Sequence, residues 1–134
     1  MSKELNLDNI VFWPERNSAE IVNIINFSDA GIIPLKNAEL FQEALPVKAS
    51  EYFACGKPVV AAIGGPMKRW IEEYETGLIV QSGNAESYKE AVLELYKDKL
   101  ERQRMGNNAR KLALEVFSDE KFYQTLDQTI KGLF

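Results

Sequence analysis

Residues 43–63 read EALPVKASEYFACGKPVVAAI, and the punctuation of this stretch decides the fold. Pro46 suits the first position of a helix, where its fixed φ is already helical and its missing N–H has no partner to lose. Amphipathic and small residues continue to about Cys55, and Gly56 then stands at the C′ position, where left-handed backbone favours glycine. Pro58 to Ile63 (PVVAAI) is a short apolar run that reads as a strand buried on both faces. A helix that feeds a doubly buried strand is half of a parallel-sheet unit.

The same alternation extends in both directions. Asn9 to Trp13 (NIVFW) is expected to be a strand closed by Pro14. Asn17 looks like an N-cap with Glu20 three residues on, a capping box, and the helix after it carries Ile21, Ile24, Ile25 and Ser28 on one face. Ala30 to Leu35 (AGIIPL) is expected to be a second strand, and Lys36 to Leu45 a polar loop long enough to suspect a role. Downstream, Gly64-Gly65-Pro66 opens a helix ending near Tyr74, and Thr76-Gly77 leads into a strand over Leu78 to Val80. Three amphipathic helices finish the chain, with apolar stripes Tyr88/Ala91/Val92/Leu95/Tyr96, Met105/Ala109/Leu112/Ala113/Val116 and Phe122/Leu126/Ile130/Leu133. The expected fold class is α/β. It is a partial doubly wound, Rossmann-like parallel sheet of about four strands, helices on both faces, with C-terminal helices.

Composition sets the limits of the chemistry. The chain has 134 residues, 46% hydrophobic and 27% charged, which suits one soluble globular domain spanning residues 1–134. No apolar run approaches the roughly 20 residues of a membrane span. The N-terminal MSKELNLDNI is charged and lacks an apolar h-region, and Cys55 is the one cysteine, so a reducing cytosol is expected. A net charge of −4 argues against nucleic acid as a partner. There is no histidine, which removes the commonest general base and metal ligand, and with one cysteine no ordinary zinc site can be assembled. Chemistry is left to carboxylates, lysines, hydroxyls and backbone dipoles.

In a parallel α/β sheet, ligands bind beyond the carboxyl ends of the strands, and residues 43–51 lie there. The first turn of the helix leaves orphan N–H groups on Val47, Lys48 and Ala49, and its dipole and the Lys48 ammonium favour an anion, with phosphate the natural occupant. Glu51 falls one turn after Lys48, where a carboxylate can accept two hydrogen bonds from a vicinal diol such as a ribose. Glu43, in the loop before the helix, can reach what the phosphates carry. Together the three suggest a nucleotide sugar. Spacing alone leaves the plainer alternative open, in which Lys48 and Glu51 form an ordinary surface pair and Glu43 is a solvated loop residue.

The segment resembles the donor-binding half of GT-B glycosyltransferases of the group 1 type. That family has two glutamates separated by seven residues, then a small-residue helix, Gly-x-Pro and a β-branched strand. Here these are Glu43, Glu51, Ala54-Cys55-Gly56, Pro58 and Val59-Val60. LPVKASEYFACGKPVV is particularly similar to the subgroup acting on bacterial surface polysaccharides. NIVFWP, SDAGIIPL, Gly64-Gly65, TGLIV, Met105-Gly106 and Ala109-Arg110 follow in the family's order, so the resemblance covers about Leu7 to Phe117.

The resemblance implies that Glu51 holds the donor's ribose hydroxyls and that Glu43, the catalytic candidate, touches the donor sugar or its leaving group. It places Lys48 and the Val47 backbone near the diphosphate, and Trp13, Pro14 and Glu15 near the base. It implies a UDP or GDP sugar as substrate, no cofactor and no metal, and transfer with retention to a polysaccharide, glycan or lipid-linked acceptor. Two departures stand out. Ala44-Leu45-Pro46 replaces the commoner Gly-Phe-Gly, and Pro46 lacks an N–H for the sugar. Two further βα units, which carry a basic pair for the diphosphate, and the whole acceptor domain are missing, so the chain looks like an incomplete C-terminal donor-binding domain, inactive alone. In the family's sheet order the missing strands lie between the first and second strands expected here. Either those two pair directly, or another chain fills the gap, and self-association as a homodimer or a rearranged edge is expected; alternatively the chain is one half of a split enzyme whose partner chain supplies the acceptor domain.

The remaining residues read more plainly. Cys55 is expected in the core, since a helix C-terminus raises a thiol's pKa. Gly64-Gly65 serves a turn or approaches the donor, and Lys68 and Arg69 suit a solvated face. Trp70 and Tyr74 suit core or rim packing. The cluster Lys97, Lys99, Arg102 and Arg104 would support peripheral contact with the inner membrane, but the interleaved Asp98 and Glu101 favour plain surface. Two other functions compete: a non-catalytic interaction module that kept the fold, and a nucleotide-sugar epimerase, which is weakened by the missing histidines.

Overall fold

The computed structural model describes residues 7–36 and 44–132. Helix α1 (Ser18–Phe27) leads to strand β1 (Gly31–Pro34), helix α2 (Val47–Ala54) to β2 (Val59–Ala62), and helix α3 (Gly65–Glu73) to β3 (Gly77–Ile79). Helices α4 (Ala85–Lys97), α5 (Lys99–Val116) and α6 (Asp119–Lys131) follow. The described strands form one parallel sheet in the order β1-β2-β3, with Gly31 level with Val59 and Val59 level with Gly77. This is the expected α/β architecture, with a smaller sheet.

The sheet has three strands among the described residues, not about four, because NIVFW does not join it. Residues 7–17 form no helix or strand, and Val11, Phe12 and Trp13 are exposed. Strand propensity reports a fit to a pleated, half-buried surface, and without a neighbouring ladder nothing is gained by extending. The expected first and second strands therefore do not pair directly, and β1 forms the edge of the described sheet.

Local signals account for the rest. The Asn17 side chain accepts from the Glu20 N–H, and the Glu20 carboxylate accepts from the Asn17 N–H, each near 3 Å. Asn84 accepts from the N–H groups of Glu86 and Ser87, and Asp98 from that of Glu101, so α4 and α5 both start on side-chain caps. Gly56 takes φ +65 and ends α2 in a Schellman turn, with Lys57 N–H donating to Tyr52 and Gly56 N–H to Phe53.

All four residues of β2 are buried, which fits a central strand covered on both faces. One side packs Ile33, Ala49, Phe53, Val59, Ala61, Met67, Ile71 and Leu112 into the main core, so α2, α3 and α5 share that face. On the other side Val60 meets Ala91, Leu95 and Met105, which seats α4. Phe117 links the rim, 6.3 Å from Phe53 and 5.2 Å, edge-on, from Trp70. Helices α2 and α5 pass closely at two glycines, where a Cβ on Gly106 would lie 2.5 Å from the Gly56 carbonyl oxygen.

The last apolar stripe has no core to enter. Phe122, Leu126 and Ile130 are exposed, and no described residue of α6 is buried. Leu133 lies outside the described residues. Cys55 is half-buried at the α2 C-cap rather than fully packed as expected.

Candidate functional site

Strand β1 ends at Pro34 and α2 begins at Val47, so the opening of α2 stands at the carboxyl end of the sheet. Pro46 is the N-cap, one place earlier than expected, and it supplies no side-chain cap. Its carbonyl accepts from the Ala49 N–H at 2.9 Å. That narrows the candidate anion donors from three to two, the N–H groups of Val47 and Lys48, both on exposed residues.

No acidic residue occupies this first turn, and Lys48 adds an ammonium to it. Helix ends favour carboxylates at the N-terminus, so a lysine there opposes the dipole by about 0.3–1 kcal/mol unless an anion sits alongside. Lys48 and Glu51 form no ion pair with each other or with any other described residue. The plain surface pair is thus not what the structure holds.

Glu51 is exposed and lies between two hollows. One, about 280 Å³, is lined by Ser50, Glu51, Ala54, Arg110, Phe117 and Ser118 among others. The second, about 240 Å³, is lined by Ile21, Ile24, Ser28, Ala30, Glu51 and Tyr52 among others. The stripe read on the α1 sequence is the wall of this second hollow. Half-burial pushes the Tyr52 phenol up, and the negative Glu51 carboxylate beside it adds to the rise.

The other expected site residues stand apart from this pair. Glu43 lies outside the described residues. Pro14 belongs to the exposed segment before α1 and lines neither hollow that shares Glu51. Val47 and Lys48 share the turn at the helix opening with each other, and Glu51 follows on the next. Sequence reasoning quoted Arg110 as part of the family pattern but gave it no role; its guanidinium donates to the Ala54 carbonyl and so closes the C-terminus of α2 against α5. The contact spans 56 residues, and no local signal announces it. Arg102 and Arg104 are also occupied. Arg102 donates to the Leu95 carbonyl and pairs with Asp29 at 3.3 Å, and Arg104 forks onto Glu101 and Glu75. Half of the suspected basic cluster is therefore spent on internal contacts. No helix among the described residues is long and apolar enough to cross a membrane.

Comparisons with known proteins bear on this geometry. Residues 1–112 match the family profile described as glycosyl transferases group 1. The chain is 32% identical over 110 residues to a D-inositol 3-phosphate glycosyltransferase of Corynebacterium aurimucosum, covering 81% of this chain and 25% of that protein. It is 26% identical over 116 residues to an uncharacterized glycosyltransferase of Methanocaldococcus jannaschii, covering 87% and 31%. The chain thus spans about a quarter to a third of the length of these relatives. Among solved structures, its fold is similar to a sucrose-phosphate synthase from Thermosynechococcus elongatus, with a TM-score of 0.81 at 24% identity, covering 99% of this chain and 32% of that one. It is also similar to HepE from Anabaena, solved in complex with UDP, with a TM-score of 0.67 at 20% identity, covering 85% and 30%.

Proposed function

This chain belongs to the glycosyl transferases group 1 family, and we propose that it is the donor-binding part of such an enzyme. In this reading it takes a nucleotide-diphosphate sugar at the opening of α2. The observation that carries it is the first turn of that helix, with no side-chain cap, no acid, one lysine, and Glu51 a turn further on, where the N–H groups of Val47 and Lys48 have no intrahelical partner.

The roles follow from the chemistry of the groups. The N–H groups of Val47 and Lys48 and the Lys48 ammonium hold the diphosphate. Glu51 accepts hydrogen bonds from the ribose hydroxyls, and each bond to a charged group contributes about 1.5–3 kcal/mol. Glu43 reaches the donor sugar or its leaving group, and Pro14 lies near the base. Sugar transfer would rest on positioning and on stabilising the diphosphate as it leaves, with retention and without a metal. The acceptor is a polysaccharide or a glycolipid, the site of action is the cytoplasm, and the acceptor domain comes from residues outside this chain. Alone, the chain binds donor and does not turn over. The UDP held by HepE makes UDP the first nucleotide to test.

Calorimetric titration with UDP, GDP and their sugars tests this reading. Binding is expected for one nucleotide, with a loss of more than about tenfold in Glu51→Ala, the equivalent of one charged hydrogen bond. Binding that Glu51→Ala leaves intact overturns the assignment of that residue. No binding of any nucleotide favours the non-catalytic module.

A further inference from the structure

Two exposed features of this chain complement each other. Alternation along β1 turns the backbone of Gly31, Ile33 and Leu35 toward β2, where Gly31 N–H meets Pro58 and Leu35 N–H meets Ala62. The backbone N–H and C=O of Ile32 therefore face the outer edge, where no described strand pairs with them. Pro34 has no N–H to offer, so this edge accepts a short strand. Beside it runs a mostly apolar groove of about 340 Å³, lined by Ala30, Ile32, Val60, Val92, Leu95 and Tyr96 among others. Ile32, Val92 and Tyr96 are 48%, 42% and 78% exposed. The second feature is the segment Ile10-Val11-Phe12-Trp13, β-branched and aromatic, with its last three residues 70%, 78% and 56% exposed. It has strand composition and no ladder, and the edge has a ladder and no strand.

We propose that the segment 10–13 of one copy docks on the β1 edge and groove of a second copy, and that two copies exchange the segment reciprocally. The single chain holds both halves without joining them. The α1–β1 connection is pinned by Lys57 Nζ on the Asn26 carbonyl, by Ser28 Oγ on Ile25 and by the Asp29–Arg102 pair, while the segment ahead of α1 stays off the edge. Reciprocal exchange makes an isologous, closed pair that leaves neither edge open. Its size is adequate. Each aromatic buries about 150–250 Å², so two aromatics and two aliphatics per copy, exchanged twice, reach the lower end of the roughly 1,200–2,000 Å² of a stable interface. This proposal does not depend on the nucleotide reading.

Light scattering after gel filtration, over a wide range of protein concentration, provides the test. The chain is expected to dimerise. A donor variant (Val11→Lys with Phe12→Asp) and an acceptor variant (Ile32→Lys with Tyr96→Glu) should each raise the dimer dissociation constant by more than about tenfold, as loss of central apolar anchors does. All four positions are exposed, and an unchanged circular dichroism spectrum verifies folding. Mixing the two variants should restore association, since one intact segment then meets one intact groove. A chain that stays monomeric at every concentration overturns the proposal. So does a dimer that survives either variant, or a mixture that fails to associate.

Discussion

Gly106→Ala tests how α2 and α5 come together. The added Cβ would lie 2.5 Å from the Gly56 carbonyl oxygen, against an ordinary contact of 3.4 Å or more. The obstacle is backbone, held at φ +65 in the turn that ends α2, so no side-chain rotation relieves it. The nearest side-chain atom belongs to Pro58 at the entry to β2, 3.6 Å away, and blocks retreat in that direction. Helix α5 must move off the face that carries Ala109, Leu112 and Ala113 into the core. Overpacking of this kind costs about 1–3 kcal/mol, and alanine returns about 1 kcal/mol of helix propensity. The net loss is up to about 2 kcal/mol, or about 4–8 °C in Tm for a chain of this size. Urea and thermal melts followed by circular dichroism measure it, with exposed Asn107→Ala as the control, expected within about 0.5 kcal/mol of the parent. If Gly106→Ala is more stable than the parent, the close approach of the two helices is wrong.

Phe53→Ala should cost about 3–5 kcal/mol in a urea melt, because the ring is fully buried and stacks on Phe117; a loss under about 1 kcal/mol would place Phe53 outside the core. Deleting residues 119–134 should shift the unfolding midpoint of the remainder by no more than about 0.5 kcal/mol, since no described α6 residue is buried. A larger loss would make α6 part of the packed unit. The Arg104 guanidinium holds the Glu101 carboxyl below its usual 4.5. A lowered folded pKa contributes stability that is present above about pH 4.5 and lost as the solution is acidified below it. Glu101→Gln should therefore flatten stability against pH in that acid window and leave the slope elsewhere unchanged, as urea midpoints across the acid range would reveal.

Where a feature is made by neighbours in sequence, it was legible. The Asn17–Glu20 capping box, the Gly56 turn and the doubly buried β2 all appear where local residue chemistry put them. The NIVFW segment and the α6 stripe failed for one reason. Periodicity shows that a segment wants an apolar surface, but the surface has to come from elsewhere in the molecule. The Gly56–Gly106 approach and the Arg110 cap on Ala54 join residues 50 or more positions apart, and no local signal shows them. At the candidate site, the positions of Lys48 and Glu51 in the opening turns of one helix were legible. The capture of the Ala49 N–H by Pro46 was not, because it depends on a proline taking the cap rather than the first turn.

Amide chemical shifts of the labelled chain during a UDP titration probe the central claim most directly. The account predicts saturable shifts centred on the N–H groups of Val47 and Lys48, spreading to Glu51 and the walls of its hollows, and suppressed in Lys48→Ala. Shifts centred on the groove of Val92 and Tyr96, or none anywhere at saturating UDP, would contradict it.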